Sequence, residues 1–212
     1  DLLQLVNEKT KIDWQGQLTQ SIAGKEVYPR PVQDKLPLWV ATGGHVESTV
    51  KIAQAGFPIV YAIIGGNPCY FKKLIQAYRE IGREAGYADK DLKVGAHSWG
   101  WIAEDGEQAV KDYFHPTKQV VDAISKDRPH WQELTYEQYL EQVGPNGAMF
   151  VGNPDQVAEK LIRMIEDLDL DRFMLHLPLG SMPHDQVLRA IELFSTQVAP
   201  KIRAYFAMKE EL

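Results

Sequence analysis

The stretch LPLWVATGGHVESTVKIAQAGFPIVYAIIGG, residues 36–66, predicts a strand, a glycine turn, a helix, a second strand and a second glycine turn. Leu38–Ala41 and Pro58–Ile64 are short apolar runs of the kind that buried parallel strands show. Between them, apolar residues recur at helical spacing from about His45, and Gly56 is placed to end that helix. Two strands joined by one helix lie parallel, so the pattern predicts an α/β fold.

Both glycine pairs, Gly43–Gly44 and Gly65–Gly66, follow the carboxyl ends of these strands, where α/β folds bind ligands. Glycine lets a ligand approach the backbone, and the next helix offers unpaired N–H groups and a positive dipole end. Ser48 adds a hydroxyl in the first turn of that helix, whereas Glu47 repels an anion unless it points outward. The first turn therefore suits a phosphate group, although the local pattern alone favours a tight turn with a serine near the helix cap.

The chain resembles the bacterial-luciferase-like family of flavin-dependent monooxygenases over nearly its whole length. The similarity lies in the opening stretch and in five further segments: VYPRPVQ (27–33), YREIGREAGY (78–87), VGNPDQVAEKL (151–161), DRFMLHLPLG (171–180) and IELFSTQVAPKIR (191–203). No single segment is specific, but their order is. Since this family folds as a (β/α)8 TIM barrel, the resemblance implies that the chain adopts part of such a barrel.

Four barrel strands are predicted, near residues 38–41, 58–64, 93–103 and 171–177. A (β/α)8 barrel needs eight strands. The resemblance therefore implies that these are strands five to eight, in four βα units that span residues 36–212. Residues 1–212 are then the C-terminal half of a single barrel domain. Within it, residues 1–35 form an irregular excursion before the first of these strands, with short strands near Ile12–Trp14 and Glu26–Tyr28. The first eight residues read as a helix end, and we expect the sequence to begin inside a domain.

Helices are predicted between and after these strands. Asn67 and Asn153 are placed as N-caps, each followed by proline at the first helical position. The predicted helices are residues 68–85, 104–125 with a break near Pro116, 136–142, one that opens at Asn153, 183–194 and 196–208. The polar stretch 126–147 is expected to fold over the site.

The resemblance also implies a cofactor site, because the family holds its flavin phosphate at the turn after the fifth strand. The implied phosphate ligands are the backbone N–H groups of Gly43, Gly44 and His45 and the hydroxyl of Ser48. Ile64 and Gly65 are expected to line the cofactor as well, since the second turn lies at the same end of the barrel. No catalytic acid or base is identified by the pattern.

The implied activity is that of a monooxygenase that uses reduced FMN, supplied by a separate flavin reductase, and O2 on an organic small molecule. One alternative within the fold is a deazaflavin-dependent oxidoreductase, because that cofactor has a similar phosphate-bearing tail. A second alternative is a non-catalytic flavin-binding or assembly module. A half barrel exposes two sheet edges and apolar strand faces, so we expect a homo-oligomer, or part of a longer polypeptide.

The remaining chemistry-bearing residues are assigned structural roles. Cys69 has no neighbouring base in sequence and is expected to be a small buried side chain. His176 is expected to be a core histidine, and His184 to be a cap or solvated. His97, Trp99 and Trp101 share one strand face, which either lines a ligand or packs beneath helices, and the packed reading is favoured.

Composition narrows the class of protein. The chain has 212 residues, a formal net charge of −6 and one cysteine. A net negative charge argues against a general nucleic-acid binder, and no apolar run reaches the roughly 18 residues of a membrane span. A single cysteine excludes an internal disulfide, so a reducing, cytoplasmic setting is expected. Neither paired histidines at i, i+4 nor a CxxC motif is present, so no metal site is expected.

Overall fold

The computed structural model describes residues 6–7, 10–34, 36–129 and 131–210, which fall into two compact units, Asp1–Leu38 and Trp39–Leu212. The helix end predicted at residues 1–8 lies mostly outside the described residues. The first unit contains an antiparallel pair, β1 (Lys11–Trp14) and β2 (Ile22–Glu26). The second strand was expected at Glu26–Tyr28. It lies earlier because pairing with β1, which sets Lys11 opposite Glu26, decides its position.

The second unit alternates parallel strands with helices. Its elements are β3 (Val40–Thr42), α1 (Val46–Gln54), β4 (Ile59–Ala62), a 3-10 turn (Pro68–Phe71), α2 (Lys72–Glu84), β5 (Val94–Ile102), α3 (Gly106–Asp127), α4 (Tyr136–Val143), β6 (Phe150–Gly152), α5 (Pro154–Leu168), β7 (Arg172–His176), α6 (His184–Leu193), a π-helical turn (Phe194–Val198) and α7 (Ala199–Glu210). The four predicted strands correspond to β3, β4, β5 and β7. The predicted α/β fold with a parallel sheet is therefore confirmed.

Strand β5 is the centre of this sheet. It pairs in parallel with β4 and with β7 along its first half, and with β6 near its carboxyl end, while β3 pairs with β4. The short strand β6 was not predicted. It has three residues, which pair with residues 100–102 of β5, and local sequence does not encode a pairing over this distance.

One helix prediction was wrong in detail, and one pair of predicted helices is joined more closely than a sequence pattern shows. Helix α3 runs without a break through Pro116. Proline removes one helical hydrogen bond, but the buried side chains of Tyr113, Thr117 and Val121 lie on both sides of it and hold the helix against the core. The helices predicted at residues 183–194 and 196–208 correspond to α6 and α7, and residue 195 lies in the π-helical turn that joins them.

The sheet has two distinct faces. Tyr61 and Ala96, side by side in the register, lie on the face covered by helices, where the Tyr61 hydroxyl meets the Thr49 hydroxyl of α1 at 3.2 Å. Side chains alternate along a strand, so the next residues lie on the opposite face. We call that face the histidine face. It is defined by Ala62, His97, Met174 and His176.

Candidate functional site

The first glycine turn joins β3 to α1. Gly43 is exposed, with open space where a side chain would start. Gly44 has φ +97°, a conformation that favours glycine, and a Cβ there would lie 2.9 Å from the Phe71 ring. The Gly44 N–H donates to the Thr42 hydroxyl at 3.4 Å. The turn is therefore built for glycine at its second position and leaves space at its first.

Helix α1 begins without a side-chain cap. His45 occupies the N-cap in an extended conformation, and its side chain accepts no hydrogen bond from the helix. The first intrahelical bond runs from the Thr49 N–H to the His45 carbonyl at 3.0 Å, so the earlier N–H groups have no partner within the helix. Ser48 is half-buried in this turn, while the Glu47 side chain is exposed. Free N–H groups at a helix start attract an anion.

Three other helix starts are closed by their own side chains. Asp105 caps α3, and α4 and α5 each carry a capping box, formed by Thr135 with Gln138 and by Asn153 with Gln156. The predicted cap at Asn153 is thus confirmed. Helix α6 resembles α1 in lacking a side-chain cap. Of these starts, only that of α1 follows a pair of adjacent glycines.

The second glycine turn, after β4, is occupied by the protein itself. The Gly66 N–H donates to the Gln142 side chain of α4 at 2.9 Å. Asn67 caps the following 3-10 turn by accepting from the Cys69 N–H at 2.9 Å, as predicted. Ile64 is half-buried and Gly65 is exposed. A role for these two residues in cofactor binding stays a prediction.

The segment that reaches the second turn is fixed by Lys160 of α5. The Lys160 ammonium donates to the carbonyls of Val143, Gly144 and Met149 at 2.9, 2.6 and 2.6 Å. Burial, and then the charge of Arg163, lower the pKa of Lys160 to about 7. Sequence reasoning missed both Lys160 and Gln142, since contacts this distant along the chain leave no local signal.

Two histidines meet on the histidine face. The rings of His97 and His176 have centroids 5.5 Å apart, with His97 half-buried and His176 exposed. The prediction that His176 is a core histidine was wrong, because β7 pairs only with β5 among the described strands and its alternate residues face solvent. Burial, and then the neighbouring His176, lower the pKa of His97. His184 is exposed at the start of α6, as expected.

The two tryptophans that follow on β5 are packed. Trp99 is 5% exposed with its ring 6.4 Å from that of Trp131, and Trp101 is 2% exposed and stacks on Tyr113 at 5.9 Å. The packed interpretation of this strand therefore holds for the tryptophans. It fails for His97, which retains access to solvent.

Cys69 was expected to be buried and is exposed. It lies in the 3-10 turn after Asn67 and lines a small pocket of about 80 Å³ together with Phe150, Lys160 and Arg163. Pro68, the first residue of the turn, is buried, and the next residue, Cys69, faces solvent; the expectation of burial came from the usual behaviour of free cysteine, not from this turn. Within the described residues, no group of three or more His, Cys, Asp or Glu side chains is placed to hold a metal ion.

A family model of luciferase-like monooxygenases matches residues 1–171. The chain belongs to this family. By contrast, no curated protein sequence matches it. None of the helices in the described part of the luciferase-like chain has the length and apolar character needed to cross a membrane.

Solved structures share the fold at low sequence identity. The monooxygenase RslO1 from Streptomyces bottropensis superposes with a TM-score of 0.73 at 18% identity, over 92% of this chain and 57% of that chain. The coenzyme F420-dependent tetrahydromethanopterin reductase from Methanopyrus kandleri gives 0.65 at 16% identity, over 95% and 60%. The oxygenating constituent of 3,6-diketocamphane monooxygenase from Pseudomonas putida, in complex with FMN, gives 0.59 at 16%, over 95% and 61%. The chain thus spans between 57% and 61% of the length of these three structures.

Proposed function

We propose that the protein is a flavin-dependent oxidoreductase that uses reduced FMN and O2 on an organic small molecule, and that the start of α1 holds the cofactor phosphate. The uncapped α1 start carries this proposal. Its N–H groups follow a glycine pair at the carboxyl end of a parallel strand, while the starts of α3, α4 and α5 are closed by their own side chains. Family membership supports the class of cofactor.

The residues of the first turn fit a phosphate group. Open space at Gly43 admits oxygen atoms close to the backbone, and the N–H groups from His45 onward point along the helix axis. The Ser48 hydroxyl adds a donor in the same turn. Glu47 is exposed, so its carboxylate can lie in solvent, away from the anion. We therefore assign the phosphate to Gly43, Gly44, His45 and Ser48, and the Gly44 N–H would exchange its long 3.4 Å hydrogen bond to the Thr42 hydroxyl for the phosphate.

The second turn takes a lesser part in this proposal. The Gly66 N–H already donates to Gln142, so it is not available to an anion. Ile64 and Gly65 therefore line the cofactor site without forming a second phosphate-binding turn. When bound, the flavin supplies the oxidation and reduction chemistry. The chain's own share is to hold the phosphate, to orient the cofactor across the carboxyl ends of the strands and to exclude water there.

A deazaflavin cofactor is the second candidate. Two similar structures are named as F420-dependent enzymes, a secondary alcohol dehydrogenase and the tetrahydromethanopterin reductase. A phosphate on either cofactor suits the same helix start, so the first turn does not discriminate between them. FMN remains the first choice because the matching family model is one of monooxygenases.

The proposed partners follow from the cofactor. Reduced FMN comes from a separate flavin reductase, and we place the reaction in the cytoplasm, where an exposed thiol such as Cys69 stays reduced. We also retain the homo-oligomer as a proposal. The outer edges of β3 and β7 pair with no other described strand, and unpaired strand edges favour association.

The test compares two serine variants by fluorescence titration with FMN and with riboflavin, which lacks the phosphate. Ser48→Ala removes a donor to a charged group and is expected to weaken FMN binding about tenfold, with riboflavin unchanged. Ser125→Ala is the matched control, because that hydroxyl donates to the Asp122 carbonyl on α3. Equal FMN affinity in the two variants would remove Ser48 from the site.

A further inference from the structure

The histidine pair lies on two adjacent parallel strands, with His176 as the last residue of β7 and His97 as the fourth of the nine residues of β5. His176 pairs in register with Trp99, one step along the same face from His97, and the two ring centroids are 5.5 Å apart. The backbone rather than a flexible loop sets this separation. His97 pairs with Ala62, the last residue of β4, so the two imidazoles lie level with the carboxyl ends of β4 and β7, and α/β folds bind ligands at this end of their strands.

The surroundings of the pair are small or apolar. In the register, Ala62 of β4 and Met174 of β7 lie on either side of His97. Below them Gly95 has no side chain, and the Arg172 guanidinium stacks on Trp39 with 4.8 Å to the ring centroid. Above them Trp99 is packed against Trp131. Along this face, the hydrogen-bonding groups of His97 and His176 thus lie between the packed Trp99 and the Arg172 guanidinium.

The pair is within reach of the first turn. β3 and β5 are separated by β4 alone, so two strand spacings of about 4.8 Å put β5 roughly 10 Å from β3 and β7 one spacing farther. A flavin or deazaflavin anchored by its phosphate at α1 carries its planar ring at the far end of a ribityl chain. With that chain extended over the sheet, the ring would pass over the carboxyl end of β4 and reach the histidine pair.

We propose that His97 and His176 contact the pyrimidinedione edge of the cofactor ring, with the imidazole N–H groups donating to its carbonyl oxygens. This inference rests on the proposed function and adds two ligand-contacting residues to it. The shared chemistry is the same for FMN and F420, since both rings carry this edge. Burial, and then the neighbouring His176, lower the pKa of His97, which favours the neutral imidazole, a form that still carries one N–H donor.

The test uses FMN, riboflavin and F420 as probes, with binding followed by flavin fluorescence and absorption. His97→Ala and His176→Ala are each expected to weaken FMN and riboflavin by the same factor, about tenfold, because the ring rather than the phosphate loses a contact. His176→Gln keeps an N–H donor and should recover part of the loss. The control is His115→Ala, at an exposed histidine on α3. Circular dichroism confirms that each variant is folded.

The outcomes separate this inference from the phosphate assignment. If both alanine variants bind FMN and riboflavin as the unmodified protein does, the histidine contact is wrong while the phosphate site stands. If they lose affinity while Ser48→Ala does not, the phosphate site is wrong and the contact stands. If the protein binds F420 but not FMN, and the histidine variants weaken F420 binding, the histidines contact the deazaflavin ring. Failure of the unmodified protein to bind any of the three overturns both.

Discussion

The two glycine turns of this chain look alike in sequence and differ in the fold. Both follow apolar strands and precede helices, but the first leaves the start of α1 uncapped, while the second donates its Gly66 N–H to Gln142 and is followed by the Asn67 cap. A helix start is available to a ligand only when no side chain of the protein satisfies its N–H groups. The difference between the turns therefore lies in what reaches them, and that can be altered by mutation.

The largest effect is expected from Lys160→Met, which loosens the segment that occupies the second turn. The change removes the donor to the carbonyls of Val143, Gly144 and Met149, and unsatisfied buried acceptors are costly. We expect the free energy of unfolding, measured in urea, to fall by about 3 kcal/mol. Lys111→Met, at an exposed position of α3, is the control and should change it little. Equal stabilities would show that Lys160 does not fix the segment.

Next in size is Gly44→Ala, which tests the geometry of the first turn. An L-residue at φ +97° is strained, and its Cβ would lie 2.9 Å from the Phe71 ring. We expect the free energy of unfolding to fall by about 2 kcal/mol, with weaker FMN binding. Gly65→Ala, in the second turn, meets no atom within 4 Å and should be nearly neutral in thermal denaturation. A neutral Gly44→Ala would contradict the strained geometry.

A smaller effect is expected from Gln142→Leu, which opens the second turn directly. Loss of one hydrogen bond to Gly66 should lower the free energy of unfolding by about 1 kcal/mol. Amide hydrogen exchange at Gly66 should accelerate, while FMN affinity stays unchanged because the phosphate site is the other turn. The control is Gln119→Leu, at an exposed position of α3, because Gln138 already belongs to a capping box. A large loss of FMN affinity would place the anion at the second turn instead.

The smallest effect concerns pH and His97, whose carbonyl accepts the Ile63 N–H at 2.8 Å just before the second turn. The folded-state pKa of His97 is lowered by burial and then by His176. Above the unfolded value of about 6.5 both states are neutral, so His97 has no effect on stability there. As pH falls below it, the unfolded chain takes up the proton first and stability decreases.

Urea unfolding at pH 7.5 and 5.5 measures this effect. His97→Gln should lose less stability between the two pH values than the unmodified protein, and His115→Gln should behave as the unmodified protein does. A greater loss in His97→Gln would reverse the sign of the assigned shift. The same comparison made in His176→Gln shows how much of the shift comes from the neighbouring imidazole.

Much of the fold was predictable because local sequence carried it. The four main strands were placed by apolar runs, α1 by its periodicity from His45, and the caps at Asn67 and Asn153 by side chains that bond their own helix starts. Each of these signals depends on residues within about four positions of one another, so a single sequence displays them. The continuity of α3 across Pro116 was missed because packing, rather than local propensity, decided it.

The sequence by itself determined the alternation of strands and helices, the two glycine turns and the likeness to the luciferase-like family. Only the tertiary structure decided which turn stays open, that Lys160 and Gln142 fix the segment at the other, and that His97 and His176 face each other at 5.5 Å. Gln142 lies 76 positions from Gly66, and the two histidines lie on different strands. Such contacts arise when the chain packs, because hydrogen bonding between strands sets the register that brings these residues together.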